Sequence, residues 1–132
     1  MPQGGRVREG VEIAWEGRRV PAYEKLITRQ VNAWLGLRGG GLVSVLMTTT
    51  PRVQAFNRKY RGVKTPTAVM SFPQNGKGLP LTSYLLPLKL WGDIAIAVDA
   101  VRRYARLEET KSEAILEEFV DHGLRGLLKK VS

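Results

Sequence analysis

The stretch Leu42–Val43–Ser44–Val45–Leu46–Met47 constrains the fold of this chain more than any other. It is almost continuously apolar, as strands inside a sheet are, so the chain must supply further strands and layers to cover it. The pattern provides them. Val11, Ile13 and Trp15 alternate with Glu12, Ala14 and Glu16, the two-residue period of a half-buried strand. Thr67–Phe72, restricted at its start by Pro66 and stopped by Pro73, reads as a third strand, and Gly92–Val98 as a fourth.

Between these strands the period changes to that of a helix. Tyr23, Leu26, Ile27, Val31, Trp34 and Leu35 share one helical face, and Gly39–Gly41 end the run. Those glycines follow a helix instead of opening one, so they are a turn and not a phosphate loop. Thr50 and Pro51 predict the start of a second helix over 51–60 that buries Val53, Phe56 and Tyr60 and ends at Arg61–Gly62. Residues 73–90 read as a long loop. Asp99 predicts the cap of a helix over 100–108. Thr110 and Glu113 predict a capping box for a last helix carrying Ile115, Leu116, Phe119, Val120, Leu124, Leu127 and Leu128. The order β, α, β, α, β, β, α, α predicts one α+β domain with a mixed four-stranded sheet over residues 11–132, preceded by a flexible segment over 1–10.

Charge narrows the function. The 132 residues carry a net charge of +9, and six of the twelve acidic residues (Glu108, Glu109, Glu113, Glu117, Glu118, Asp121) lie close together near the C-terminal end. The rest of the chain is therefore strongly basic, which favours a polyanionic partner such as RNA. No apolar run approaches the length of a membrane span, Met1–Gly10 has no signal-peptide core, and cysteine is absent. The expected location is cytoplasmic, with no disulfide and no thiolate chemistry.

Three segments carry a resemblance. Asn57–Gly62 with Pro66–Pro73 resembles the N-x-x-Y-R-G…P-T-D-V-L-S-F-P signature of the YbeY-type bacterial endoribonucleases. Gly92–Ile96 resembles that family's G-D-I-x-I strand, and His122–Gly123–Leu124 the start of its H-G-x-L-H-L-x-G-x-D-H metal motif. The resemblance implies a zincin-like α+β fold that acts on ribosomal RNA. It also implies zinc held by three histidines and activating a water, and an arginine, here Arg61, facing phosphate.

The motif departs from this pattern where metal chemistry depends on it. His122 stands at the first ligand position, Gly126 at the second and Ser132 at the third, while Lys129 and Val131 replace the motif's glycine and aspartate and Ala68 an upstream aspartate. The chain has one histidine and no cysteine, so the sequence predicts no three-histidine site, with His122 a vestigial ligand and no cofactor. Asp93 and Asp121 are the nearby carboxylates that could substitute. Gly126, inside a helix, is expected to cost about 1 kcal/mol relative to alanine.

The functional expectation is a metal-site-degenerate, catalytically inactive relative that binds RNA through Arg58, Lys59, Arg61, Lys64, Arg102, Arg103 and Arg106. The alternatives are an active endoribonuclease with substitute ligands, or an altered scaffold of this fold without the ancestral activity. Asn57 and Ser71 are expected to serve as turn and strand-end hydrogen bonders, and Tyr60, Phe72 and Trp91 as packing groups.

Overall fold

A computed structural model describes residues 10–62, 67–74 and 89–129. Its elements run β1 (Gly10–Trp15), α1 (Pro21–Gly36), β2 (Leu42–Thr48), α2 (Thr50–Arg61), β3 (Val69–Pro73), β4 (Leu90–Ala97), α3 (Val98–Leu107) and α4 (Ser112–Leu127). This is the element order expected from the periodicities. The sheet order is β1-β2-β4-β3, with β1, β2 and β4 parallel and β3 antiparallel to β4. Parallel neighbours need crossover connections, which α1 and α2 provide.

Register assigns each strand residue to a face. Ile13, Val45, Ile94 and Ser71 form one cross-strand row, and Trp15, Met47, Ile96 and Val69 another. These rows face α1 and α4 and make the main core with Ile27, Val31, Leu116, Val120 and Leu124. The opposite face carries Glu12, Ser44, Asp93 and Phe72 in one row and Ala14, Leu46, Ala95 and Met70 in the next. Here α2 packs Val53 over Met70, Ala95 and Ala97 in a second, smaller core. It meets β3 and β4 and leaves part of the β1–β2 side open.

That partial cover changes one expectation. Tyr60 is 59% exposed, not buried, because the last turn of α2 overhangs the open part of the sheet. Its ring meets Phe56 and Phe72 instead, in tilted and edge-on contacts of 6.3 and 5.6 Å between centroids. Trp91 does pack, edge-on against Trp34 at 4.9 Å, with its Nε1 donating to the Gly40 carbonyl at 3.0 Å.

The helix starts also differ from the sequence reading. Asp99 lies inside the first turn of α3 and does not cap it. Its Oδ1 accepts from the Thr50 amide at 2.8 Å, so it satisfies the N-terminus of α2, where a carboxylate is favoured. Thr50 is consequently the first residue of α2 and not its side-chain cap. The Thr110–Glu113 box does not form either. Glu109, at φ 53, turns the chain tightly after α3, and α4 begins at Ser112, with Lys111 as a cap residue making no side-chain bond. Ser112 Oγ accepts from the Tyr23 hydroxyl at 2.8 Å, tying α4 to α1. The loop expected over 73–90 lies largely outside the described residues. At its ends, Pro73 is the last residue of β3 and Leu90 the first of β4.

Candidate functional site

The position expected to hold metal lies on α4. His122 is exposed and lines a groove of about 500 Å³ with Thr67, Ala68, Val69, Tyr104, Glu118 and Asp121. Ala68, where the motif has aspartate, contributes a methyl group and no donor. Asp121 is held by Arg125 at 3.0 Å, one helical turn on. Asp93 is not part of this groove, since its row of the sheet faces the other way, toward α2.

One turn beyond His122, Gly126 points at β3. A β-carbon there would lie 2.8 Å from Ser71 Cβ and closer still to Ser71 Oγ. That hydroxyl donates to the Gly123 carbonyl at 2.7 Å. A β-carbon on Gly123 would in turn meet Ile94 Cγ2 at 2.6 Å. The two glycines therefore let α4 lie close on β3 and β4, and Ser71 fills the space that a second ligand would need. Gly126 is thus a packing residue, contrary to the expectation that nothing compensates for it. Ser71 is a hydrogen bonder, as expected, but in the middle of β3 and toward α4, not at a strand end. Among the described residues no group of three histidine, aspartate or glutamate side chains could hold a metal ion. The donor set does not fit a three-ligand zinc centre. Ser132 lies outside the described residues.

Arg61, the residue expected to face phosphate, donates to the Ser71 carbonyl at 3.3 Å. It sits beside the strand that α4 covers, two hydrogen bonds from Gly123, and a guanidinium has further donors to offer. Arg58 and Lys59 are exposed on the same helix end. Lys64 lies outside the described residues. On α3, Arg102, Arg103 and Arg106 are all exposed, and Arg103 approaches Asp99 at 3.7 Å. Asp99 holds Thr50, so Arg103 lies at the start of α2 and Arg61 at its end. Eleven helical steps separate these points by about 16 Å. The basic residues thus form two patches at opposite ends of α2, not one continuous row.

A second groove, of about 620 Å³, opens on the other face of the sheet. Glu12, Ala14, Ser44, Leu46, Asp93 and Ala95 make its floor, with Phe56, Tyr60 and Phe72 along one side. Partial burial pushes the Asp93 carboxyl above its usual range, and a hydrogen bond with the Ser44 hydroxyl opposes this. The sequence reading did not single out Glu12 or Ser44. The available signal was a polar residue at the middle of each of three apolar strands, but pairing partners so distant in sequence had to be known before the three formed a row.

The sequence profile of the family described as Endoribonuclease YbeY matches residues 14–128. Relatives named Endoribonuclease YbeY include one from Rhodopseudomonas palustris, 37% identical over 68% of this chain and 47% of its own length. Another, from Anaeromyxobacter, is 34% identical over 69% of this chain and 44% of its own length. A third, from Rhodospirillum rubrum, is 36% identical over 74% of this chain and 52% of its own length. The chain spans about half the length of these curated relatives. Among solved structures, a Thermotoga maritima protein determined in solution superimposes over 91% of this chain and 73% of its own, with a TM-score of 0.58 and 22% identity, which is a likeness of fold. With its signature segments on α2, β3, β4 and α4 of a mixed α+β sheet, and with the family profile running through nearly all of it, the chain belongs to the YbeY endoribonuclease family.

Proposed function

We propose that this chain is a catalytically inactive member of its family that retains weak RNA binding through its basic surface. The observation that carries the reading is Gly126. The second ligand position has no side chain, and Ser71 occupies the adjacent space. His122 alone offers a metal one imidazole on an exposed helix face. A metal-activated water needs several ligands to fix the ion and an open position besides, so no hydrolytic step is assigned. An active enzyme with substitute ligands would have to recruit Glu118 and Asp121, the carboxylates sharing the His122 groove, and Asp121 is already paired with Arg125.

Arg58, Lys59, Arg61, Lys64, Arg102, Arg103 and Arg106 are the proposed RNA contacts, with Arg61 the family's phosphate-facing position. They carry charge but no base-reading arrangement, so binding follows phosphate and not sequence. RNA, ribosomal RNA included, is the proposed partner and the cytoplasm the proposed location. No helix among the described residues is long and apolar enough to cross a membrane.

Two measurements test this. Mass spectrometry of zinc-loaded, desalted protein should find less than one zinc per chain. Stoichiometric zinc that disappears in His122→Ala would show a working site and overturn the reading. RNA titrations over a series of salt concentrations should show affinity falling steeply with salt, with no cleavage products. Arg61→Ala and Arg103→Ala should each flatten the logarithmic salt slope by about one unit. Affinity indifferent to salt, or unchanged in the double variant, would remove RNA binding from the proposal. Cleavage that depends on His122 would remove the inactivity.

A further inference from the structure

Helix direction and strand register gather unpaired positive charge toward one end of the molecule, where β2 and β4 begin. Leu42 is level with Gly10 and Leu90 across the sheet, and the turn before it leads from the end of α1. α4 runs toward the same end, since a β-carbon on Gly92 would lie 3.0 Å from Leu127 Cδ2. Arg38 follows α1, Lys89 precedes β4 and Lys129 follows α4, and all three are exposed. α2 also points its C-terminal end this way, carrying Arg58, Lys59 and Arg61. None of these six cations forms an ion pair among the described residues. The opposite end is different. There Arg19 pairs with Glu24 at 2.7 Å, Arg52 with Glu16 at 3.4 Å and Arg103 with Asp99 at 3.7 Å.

The cations at the unpaired end are held on rings instead. Arg38 lies over Trp34 at 4.3 Å and Lys89 over Trp91 at 3.9 Å, and the two indoles meet edge-on at 4.9 Å. The frame beneath them is tightly built. Trp91 Nε1 donates to the Gly40 carbonyl at 3.0 Å, and a β-carbon on Gly41 would lie 2.7 Å from the Lys89 carbonyl oxygen. Arg38 also donates to the Trp34 carbonyl at 3.1 Å. A ring fixes a cation without cancelling its charge as a carboxylate does, so donors remain for an anion. Side chains already fixed lose less freedom when they bind one. Helix dipoles favour a cation beyond the ends of α1 and α4, which accounts for Arg38 and Lys129. They do not account for Lys89, which precedes a strand.

We infer that this end of the sheet is a phosphate-contact face for RNA, with Arg38 and Lys89 as contacts on the paired indoles and Lys129 beside them. The inference rests on the RNA-binding reading and extends it to residues at the end of the molecule away from Arg103. A guanidinium lying over an indole offers its outer face to a base, so this cluster suits a nucleotide better than a lipid headgroup.

Titration of the full chain with a uridine oligoribonucleotide over a series of salt concentrations tests the placement. Arg38→Gln and Lys89→Gln should each flatten the logarithmic salt slope by about one unit. Arg38→Lys and Lys89→Arg keep the charge and should keep the slope, which separates loss of the cation from loss of packing on the ring. Arg19→Gln removes a paired cation at the far end and should leave the slope unchanged. The chain has three tryptophans, and Trp15 lies at that far end. In Trp15→Phe the remaining emission comes from Trp34 and Trp91, and saturating RNA should change it. Steep salt dependence that survives in both glutamine variants would overturn this face and leave RNA binding standing. Absence of salt-dependent binding in the unaltered chain would overturn both. Equal flattening by Arg19→Gln, loss of slope in the charge-keeping variants, or unchanged tryptophan emission would also overturn the placement. So would binding of anionic phospholipid vesicles without binding of RNA.

Discussion

Gly92→Ala is expected to destabilise the chain by roughly 3–5 kcal/mol, most of the stability of a marginal domain. Gly92 has φ +135, in the region where side chains are strained. It also sits where the pairing of β2 with β4 slips. Leu42 faces Leu90 and Val43 faces Gly92, leaving Trp91 as the extra residue of a bulge. On its other side β3 runs so close that an added β-carbon would lie 3.0 Å from Pro73 Cα and nearer still to the Phe72 carbonyl oxygen. Backbone strain of about 1–3 kcal/mol and overpacking of similar size add together, because neither the carbonyl nor the strand can turn aside. In thermal unfolding this corresponds to a fall of at least about 10 °C. A change under about 1 kcal/mol in denaturant unfolding would mean that β3 and β4 are not held this close.

The bulge also sets the chemistry downstream. It places Asp93 on the open face and Ile94 in the main core, so each following residue of β4 falls on its observed side. A one-residue slip would exchange them. Gly92 therefore determines whether Asp93 shares a row with Glu12 and Ser44 at all.

The order of elements and the mixed sheet were legible because each depends on a short-range period. Alternation at Val11–Trp15, the apolar run at Leu42–Met47 and the helical spacing at Tyr23–Leu35 are local signals that the tertiary structure preserves. The metal motif was legible in the same way, since its departure at Gly126 is a matter of residue identity at a fixed spacing. What failed were statements that depend on distant partners. Asp99 has the right residue type and place to cap its own helix, yet the amide of Thr50 lies within reach across the fold and takes its carboxylate. Tyr60 carries the helical period of a buried residue, but α2 stops short of covering β1. The paired carboxylates on the open face were invisible because one-dimensional spacing does not reveal which strands are neighbours.

Gly126 is where that limit changes the sign of a prediction. Helix propensity alone would have alanine stabilise α4 by about 0.5–1 kcal/mol. With Ser71 in place the expected result is a net loss of roughly 1–2 kcal/mol. The new methyl group must expel the Ser71 hydroxyl, breaking its bond to the buried Gly123 carbonyl, and it still meets Ser71 Cβ at 2.8 Å. The explanation is tested by a double-mutant cycle in denaturant. In a Ser71→Gly background both clashing atoms are gone, and Gly126→Ala should become neutral or stabilising. A penalty of the same size in both backgrounds would place the conflict elsewhere. Gly126→His extends the test to function. The imidazole is much larger than the methyl group, so this variant should lose more stability than Gly126→Ala. Zinc added to it should raise the unfolding midpoint little, because the ring meets β3 before it can turn toward His122. Strong stabilisation by zinc in this variant would show that one substitution restores a metal site and that the close approach of α4 to β3 is a consequence of the glycine, not a barrier to the ligand.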